Sequence, residues 1–274
     1  VLGTLVAAFA LLLTTVSSAG AAPPAPNEPV KPGDAWAGAG YPGGALGGGS
    51  ALDPFGHGDG VQGIDVSHWQ GAINWSAVRN SGIQFAWIKA TEGTSFKDSR
   101  FNTNYTAAYH AGVIRGAYHF ARPNVSNGAT QANFFASNGG AWSRDNLTLP
   151  GVLDIEHNPY GAMCYGLSTT QMRNWINDFY NTYKARTSRD VVIYTTASWW
   201  NTCTGRWGGM SAKTPLWVAH WTSSHSPSIP AGFPTWTVWQ YTSTGRVNGI
   251  SGNVDRNKFN GTRARLLALA NNTP

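Results

Sequence analysis

From residue 60 onward, short apolar runs alternate with segments whose apolar positions recur at helical spacing. Runs at 62–65, 84–91, 113–121, 149–156, 191–195, 216–220, 235–241 and 250–255 predict strands. Segments 75–81, 101–111 and 127–138 between the early runs predict helices. The clearest helix is 169–186, where Met172, Trp175, Ile176, Phe179, Tyr180 and Tyr183 fall on one face, a core stripe. Ser168 and Gln171 stand before it as an S-x-x-Q capping box. Early strand–helix alternation, followed by three strands with less helix between them, predicts an α/β chain with one domain over 60–272, built as a parallel barrel with an irregular last part.

The first 59 residues follow another pattern. Residues 1–21 carry an apolar run from Leu5 to Leu13, then small residues up to Ala21, and read as a signal peptide cut after Ala21. The apolar stretch is shorter than the ~20 residues a membrane span needs, so no membrane insertion is expected. Residues 22–59 are rich in Pro, Gly and Ala, have almost no aliphatic periodicity, and read as a flexible linker. Gly38, Gly40 and Gly43 formally match G-x-G-x-x-G, but no strand precedes them, no helix follows and Pro42 interrupts them. That excludes a nucleotide site there.

Composition narrows the setting. Only 12% of the 274 residues are charged, while 33 are Gly and 13 are Trp, which suits an exported, aromatic-lined carbohydrate enzyme. The net charge is +6, yet no Lys/Arg run exists to serve as a nucleic-acid arm. Attraction to an anionic wall polymer fits the basic balance better. The two cysteines, Cys164 and Cys203, predict one disulfide in an oxidising compartment.

The chemistry concentrates in Leu153-Asp154-Ile155-Glu156. On a strand, alternation turns Asp154 and Glu156 to one face and Leu153 and Ile155 to the other. Two carboxylates so close cannot ionise independently, and one is pushed toward the protonated form that a glycosidase needs in its general acid. Asp65 ends the first strand run, Glu92 follows the second, and Asp255 ends the last. Acids at strand ends are what a barrel enzyme gathers at one rim. His68, His119 and His157 flank these motifs without a metal-ligand spacing, so neither metal nor cofactor is expected. Ser67-His68 lacks a nucleophile elbow and is not a hydrolase pair.

The chain resembles glycoside hydrolase family 25, the Chalaropsis-type muramidases. The resemblance rests on Gly63-Ile64-Asp65-Val66-Ser67-His68-Trp69-Gln70, the segment from Phe85 to Gly93, Gly116-Ala117-Tyr118-His119-Phe120, Leu153-Asp154-Ile155-Glu156, Trp239-Gln240-Tyr241, and the segment from Gly249 to Asn257. It implies a modified TIM-like (β/α)5(β)3 barrel, a single catalytic domain acting outside the cell; independently of the resemblance, a monomer is the default expectation. The implied partner is peptidoglycan, cut at the β-1,4 bond between N-acetylmuramic acid and N-acetylglucosamine.

Under that resemblance Glu156 is the general acid, its pKa raised to about 6 by an ionised Asp154 and by burial. Asp154 would position the substrate's own N-acetyl group for attack. Direct attack by water, with Asp65 or Asp255 as base, stays open. Asp65 and Asp255 otherwise read as pocket acids that contact sugar or orient the pair, and Glu92 as a sugar contact or a loop cap. Tyr118, Tyr194 and Trp239, with Gln240 beside it, would line a substrate groove. The competing readings are a chitinase-like hydrolase, which also uses a D-x-E strand end, and a non-catalytic sugar-binding barrel.

Overall fold

The computed structural model describes residues 30–41 and 60–274. The signal-peptide expectation falls on residues outside these, as do parts of the expected linker. Among the described residues the strands are β1 (Val61–Val66), β2 (Phe85–Glu92), β3 (Phe96–Lys97), β4 (Ile114–Phe120), β5 (Val152–Asp154), β6 (Val192–Thr196), β7 (Leu216–Ala219), β8 (Val238–Gly245) and β9 (Val254–Phe259). The helices are α1 (Trp75–Asn80), α2 (Phe101–His110), α3 (Gly128–Phe135), α4 (Thr169–Thr187), α5 (Ala197–Cys203) and α6 (Arg263–Asn271).

The sheet runs β1-β9-β8-β7-β6-β5-β4-β2, and a further β1–β2 pairing closes it into a barrel, with β3 as a short hairpin partner of β2. Each of β1, β2, β4, β5 and β6 is followed by a helix before the next barrel strand, whereas β7, β8 and β9 succeed one another without one. The expected five βα units and three further strands are therefore present. Neighbouring barrel strands pair in parallel except at β9, which is antiparallel to both β8 and β1.

Strand alternation divides the core into two layers. Val61, Phe85, Trp87, Ile114, Tyr118, Val152, Val192, Tyr194, Trp217, Val238 and Phe259 point into the barrel. Their strand neighbours Ile64, Ala86, Ile88, Ala117, Leu153, Ile193, Val218 and Trp239 point outward, against the helices. Trp87 and Trp217 stack inside, with ring centroids 4.7 Å apart. A side chain at Gly63 would collide with the Phe85 ring at 2.3 Å, and one at Gly116 with Trp87 at 2.5 Å. The interior is filled by aromatics where those two positions carry no side chain.

The capping box at Ser168 and Gln171 forms as expected, and the six apolar residues of α4 are buried. Cys164, in the loop after β5, is bonded to Cys203 at the end of α5, with Cα atoms 5.4 Å apart. The periodicity missed β3, α5 and α6, each too short or too mixed in pattern to stand out. It also overextended β5, whose regular pairing covers only Val152–Asp154. Pro150 has no N–H to give a ladder. Among the described residues no helix is long and apolar enough to cross a membrane.

Candidate active site

The polar residues lie where the inward-facing rows reach the C-terminal ends of the parallel strands. Asp65 follows Gly63 on the inner face of β1, Lys89 follows Trp87 on β2, Asp154 follows Val152 on β5, and Gln240 follows Val238 on β8. Glu156 lies two residues beyond the end of β5. The Ile155 N–H still donates to the Tyr194 carbonyl at 3.0 Å, so the extended alternation continues past Asp154. Asp154 and Glu156 are both fully buried.

Asp255 needs a correction of place. It was expected to end the last strand, over 250–255, but β9 begins at Val254 and Asp255 is its second residue. It still reaches the acidic rim because β9 runs opposite to its neighbours and pairs Asp255 directly with Asp65. Directly opposed residues in an antiparallel pair share a face, so the two acids sit side by side.

Asp65 is held by two amide donors. Asn257 Nδ2 donates to its Oδ1 at 2.7 Å, and Gln240 Nε2 donates to the same oxygen at 3.1 Å. Gln240 accepts in turn from the Tyr194 hydroxyl at 2.8 Å and from Trp221 Nε1 at 3.1 Å. This chain joins four strands and gives Gln240 and Tyr194 the task of fixing an acid, beyond the sugar contact expected of them. Glu92 closes β2 in a second cluster. Its Oε2 pairs with Lys89 Nζ at 2.8 Å, and its Oε1 accepts from the Tyr160 hydroxyl at 2.7 Å.

Burial raises all four acids of the rim. Asp65 moves from 3.8 to about 7, desolvation outweighing its two amide hydrogen bonds. Glu156 moves from 4.5 to about 8, again chiefly through desolvation, with the charge of Asp65 adding to the rise. Asp154 and Asp255 lie well above the carboxylate range, first through burial and then through neighbouring acids, Glu156 for Asp154 and Asp65 for Asp255. The elevation of Glu156 was expected, but its leading cause is burial and not an ionised Asp154. Both Asp154 oxygens are buried without a hydrogen-bond partner, which disfavours its anion in this arrangement.

Tyr118 and Tyr194 lie fully buried inside the barrel beneath this rim. Trp239 does not join them. It follows Val238 on β8 and precedes Gln240, so alternation turns it outward, where it packs edge-on against Trp236 and Tyr241 and donates to the His220 carbonyl. Trp221, two residues past the end of β7, is the rim aromatic that pattern reading missed. Its position just after a strand end was the available signal. His119 faces outward too, between Gln131 and Thr91, and burial lowers its pKa to about 4. Among the described residues no three of His, Cys, Asp and Glu are grouped as a metal ion would need.

Residues 30–41, from the stretch whose composition suggested a flexible linker, lie across this rim. The Gly38 N–H donates to Glu156 Oε1 at 2.7 Å, and the Gly33 N–H donates to Glu92 Oε1 at 2.9 Å. Lys89 Nζ donates to the carbonyls of Gly33, at 2.8 Å, and of Ala35.

A closed β/α barrel with clustered buried carboxyls at the C-terminal mouth of its parallel strands is an arrangement suited to a glycoside hydrolase. The family model for glycosyl hydrolases family 25 matches residues 64–250, and the chain belongs to that family. It is similar to Lysozyme M1 of Streptomyces globisporus, with 68% identity over 99% of this chain and 94% of the relative. It is also similar to the N,O-diacetylmuramidase of Arthroderma benhamiae, 43% identical over 77% of this chain and 86% of that protein. Among solved structures, the lysozyme of Streptomyces coelicolor superposes with a TM-score of 0.78 at 75% identity, covering 79% of this chain and 99% of the other.

Proposed function

We propose that the chain is an extracellular N-acetylmuramidase that hydrolyses the β-1,4 bond between N-acetylmuramic acid and N-acetylglucosamine in peptidoglycan, acting as a monomer. The observation that carries this reading is the Asp154 and Glu156 pair at the barrel mouth beside Asp65 and Asp255, where burial and the charge of Asp65 both raise the proton affinity of Glu156. A general acid must keep its proton until the leaving oxygen takes it. The lysozyme and diacetylmuramidase relatives support a wall polymer and a muramic sugar as the substrate.

In this reading Glu156 protonates the glycosidic oxygen as the bond to the anomeric carbon breaks. The carbonyl oxygen of the substrate's own 2-acetamido group attacks that carbon from the opposite face and forms an oxazolinium ring. Asp154, on the same face of the chain, accepts from the acetamido N–H, the partner its buried oxygens lack here, and in the ionised form which that bond favours it stabilises the positive ring. Water then opens the ring, giving its proton to the Glu156 carboxylate, and the product retains its configuration. Asp65 holds the Gln240 and Asn257 amides in place, with Asp255 beside it. Asp65 also adds charge repulsion that keeps Glu156 protonated.

The test is digestion of purified peptidoglycan with identification of the sugar at the new reducing end. Muramic acid in the β-anomer is the expected first product. A new glucosamine end would move the reading to a glucosaminidase. Release of reducing sugar from chitin but not from walls would favour a chitinase-like enzyme. An α-anomer as first product would replace assistance by the acetamido group with direct attack of water.

A further inference from the structure

We propose that residues 30–41 are an intramolecular plug that holds the enzyme inactive while they occupy the barrel mouth. This rests on the muramidase reading, because the mouth is where that reading places the glycan. The segment is seated, and its main chain makes the contacts that a polar substrate would have to make. The Gly38 amide donates to Glu156, the carboxyl that must otherwise face the glycosidic oxygen. The Gly33 amide takes Glu92, and the Ala37 carbonyl accepts from Gln240 Nε2 at 3.3 Å. Ala35 and Ala37 are completely buried. Tyr41 stacks on Trp221 with ring centroids 4.3 Å apart, covering the rim aromatic.

The segment's small residues are what allow this fit. Gly38 has φ +102°, and a side chain there would meet Trp221 at 2.8 Å. A side chain at Gly40 would meet the His157 carbonyl oxygen at 1.9 Å. The G-x-G spacing that has no meaning as a nucleotide motif is therefore a packing requirement. The contacts are of two kinds, hydrogen bonds inside the mouth, those to the Lys89–Glu92 ion pair charge-assisted, and an aromatic stack at its edge. Because the plug and the barrel are one chain, docking is intramolecular, and a glycan must compete with it at every protein concentration. Hydrolysis of a peptide bond within 42–59 by a protease would turn the plug into a diffusible peptide and open the site.

The experiment compares the parent chain with the double variant Gly38→Val/Gly40→Val, which alters only the plug and leaves every barrel residue in place. Initial rates of wall solubilisation are measured beside backbone hydrogen exchange over residues 30–41. The expected result is at least about tenfold faster solubilisation by the variant, equivalent to about 1.4 kcal/mol of lost docking. Slow exchange at Gly33 and Gly38 in the parent should become fast in the variant. A synthetic peptide of residues 30–41, added in excess, should slow the variant again. Equal rates for parent and variant, both active, would overturn the proposal, as would equally fast exchange in both. If neither protein attacks walls, the muramidase reading fails, and exchange alone then decides whether the segment occupies the mouth.

Discussion

Asp65 and Asp255 stand directly opposite each other on the antiparallel pair β1 and β9, from nearly opposite ends of the barrel sequence. Asp65 acts on Asp255 and on Glu156, and Asp255 is pushed up chiefly by its own burial. The pair makes the seam of the barrel part of the acidic rim. Replacing Asp65 with Asn removes one negative charge facing Glu156 while keeping an amide-sized group among Asn257 and Gln240. The alkaline limb of the pH–rate profile should move to lower pH, measured as kcat on soluble glycan fragments from pH 5 to 9. An unmoved limb would mean that Asp65 does not act on the general acid.

Glu156→Gln should lower kcat by about 10²–10⁴-fold, the range for losing a positioned general acid. Glutamine is nearly isosteric with the protonated carboxyl, so near pH 4, where Glu156 keeps its proton, the thermal midpoint should change little. Kinetics and thermal unfolding of the same preparation separate loss of chemistry from loss of fold.

The same substitution carries a pH signature in stability. Glu156 rises from 4.5 to about 8 on folding and Asp65 from 3.8 to about 7. Between about pH 4 and 8 the unfolded chain has released protons that the folded chain retains. The stability from these groups is thus full below about pH 4 and is lost as pH rises toward 8. Buried His119, lowered from 6.5 to about 4, has the opposite slope, losing stability as pH falls from 6.5 to 4. The Tm of Glu156→Gln minus that of the parent should therefore grow from pH 5 to pH 8 by calorimetry. A constant difference would place Glu156 in contact with solvent.

Cys203→Ser should destabilise the fold by about 3–4 kcal/mol, from the loop entropy of a bridge spanning a sequence separation of 39. The bond ties the loop after β5, which carries Glu156 and His157 at its start, to the end of α5. Denaturant unfolding should show the loss, and treatment of the parent with reductant should reproduce it.

Trp221→Ala should raise KM for glycan about three- to tenfold with a smaller effect on kcat, since an aromatic face contributes about 0.5–1.5 kcal/mol beyond burial. In the parent chain the effect will be partly masked, because Tyr41 covers the same ring. The measurement belongs in the Gly38→Val/Gly40→Val background.

Much of the architecture was legible along the chain because it depends on local pattern. Period-two alternation in Phe85-Ala86-Trp87-Ile88 and in Val152-Leu153-Asp154-Ile155 assigns inner and outer faces without any distant information. The α4 stripe and its capping box are likewise local. The acids at strand ends could be named for the same reason, and so could Cys164 with Cys203 as the two thiols of an exported chain.

What the tertiary structure decided depends on which elements meet. Trp239 looked like a groove residue until β8 was placed with Gln240 turned inward, which sends its neighbour outward. Asp255 reaches the rim by the reversed direction of β9, which a run of apolar letters does not encode. The size and cause of the Glu156 shift follow from the packing that removes water around it. Residues 30–41 show the difference most plainly. Their composition has too little apolar area to order itself, and they are held by main-chain contacts to Glu156, Glu92, Lys89 and Gln240. Those partners lie on strands and strand ends that only barrel closure brings together.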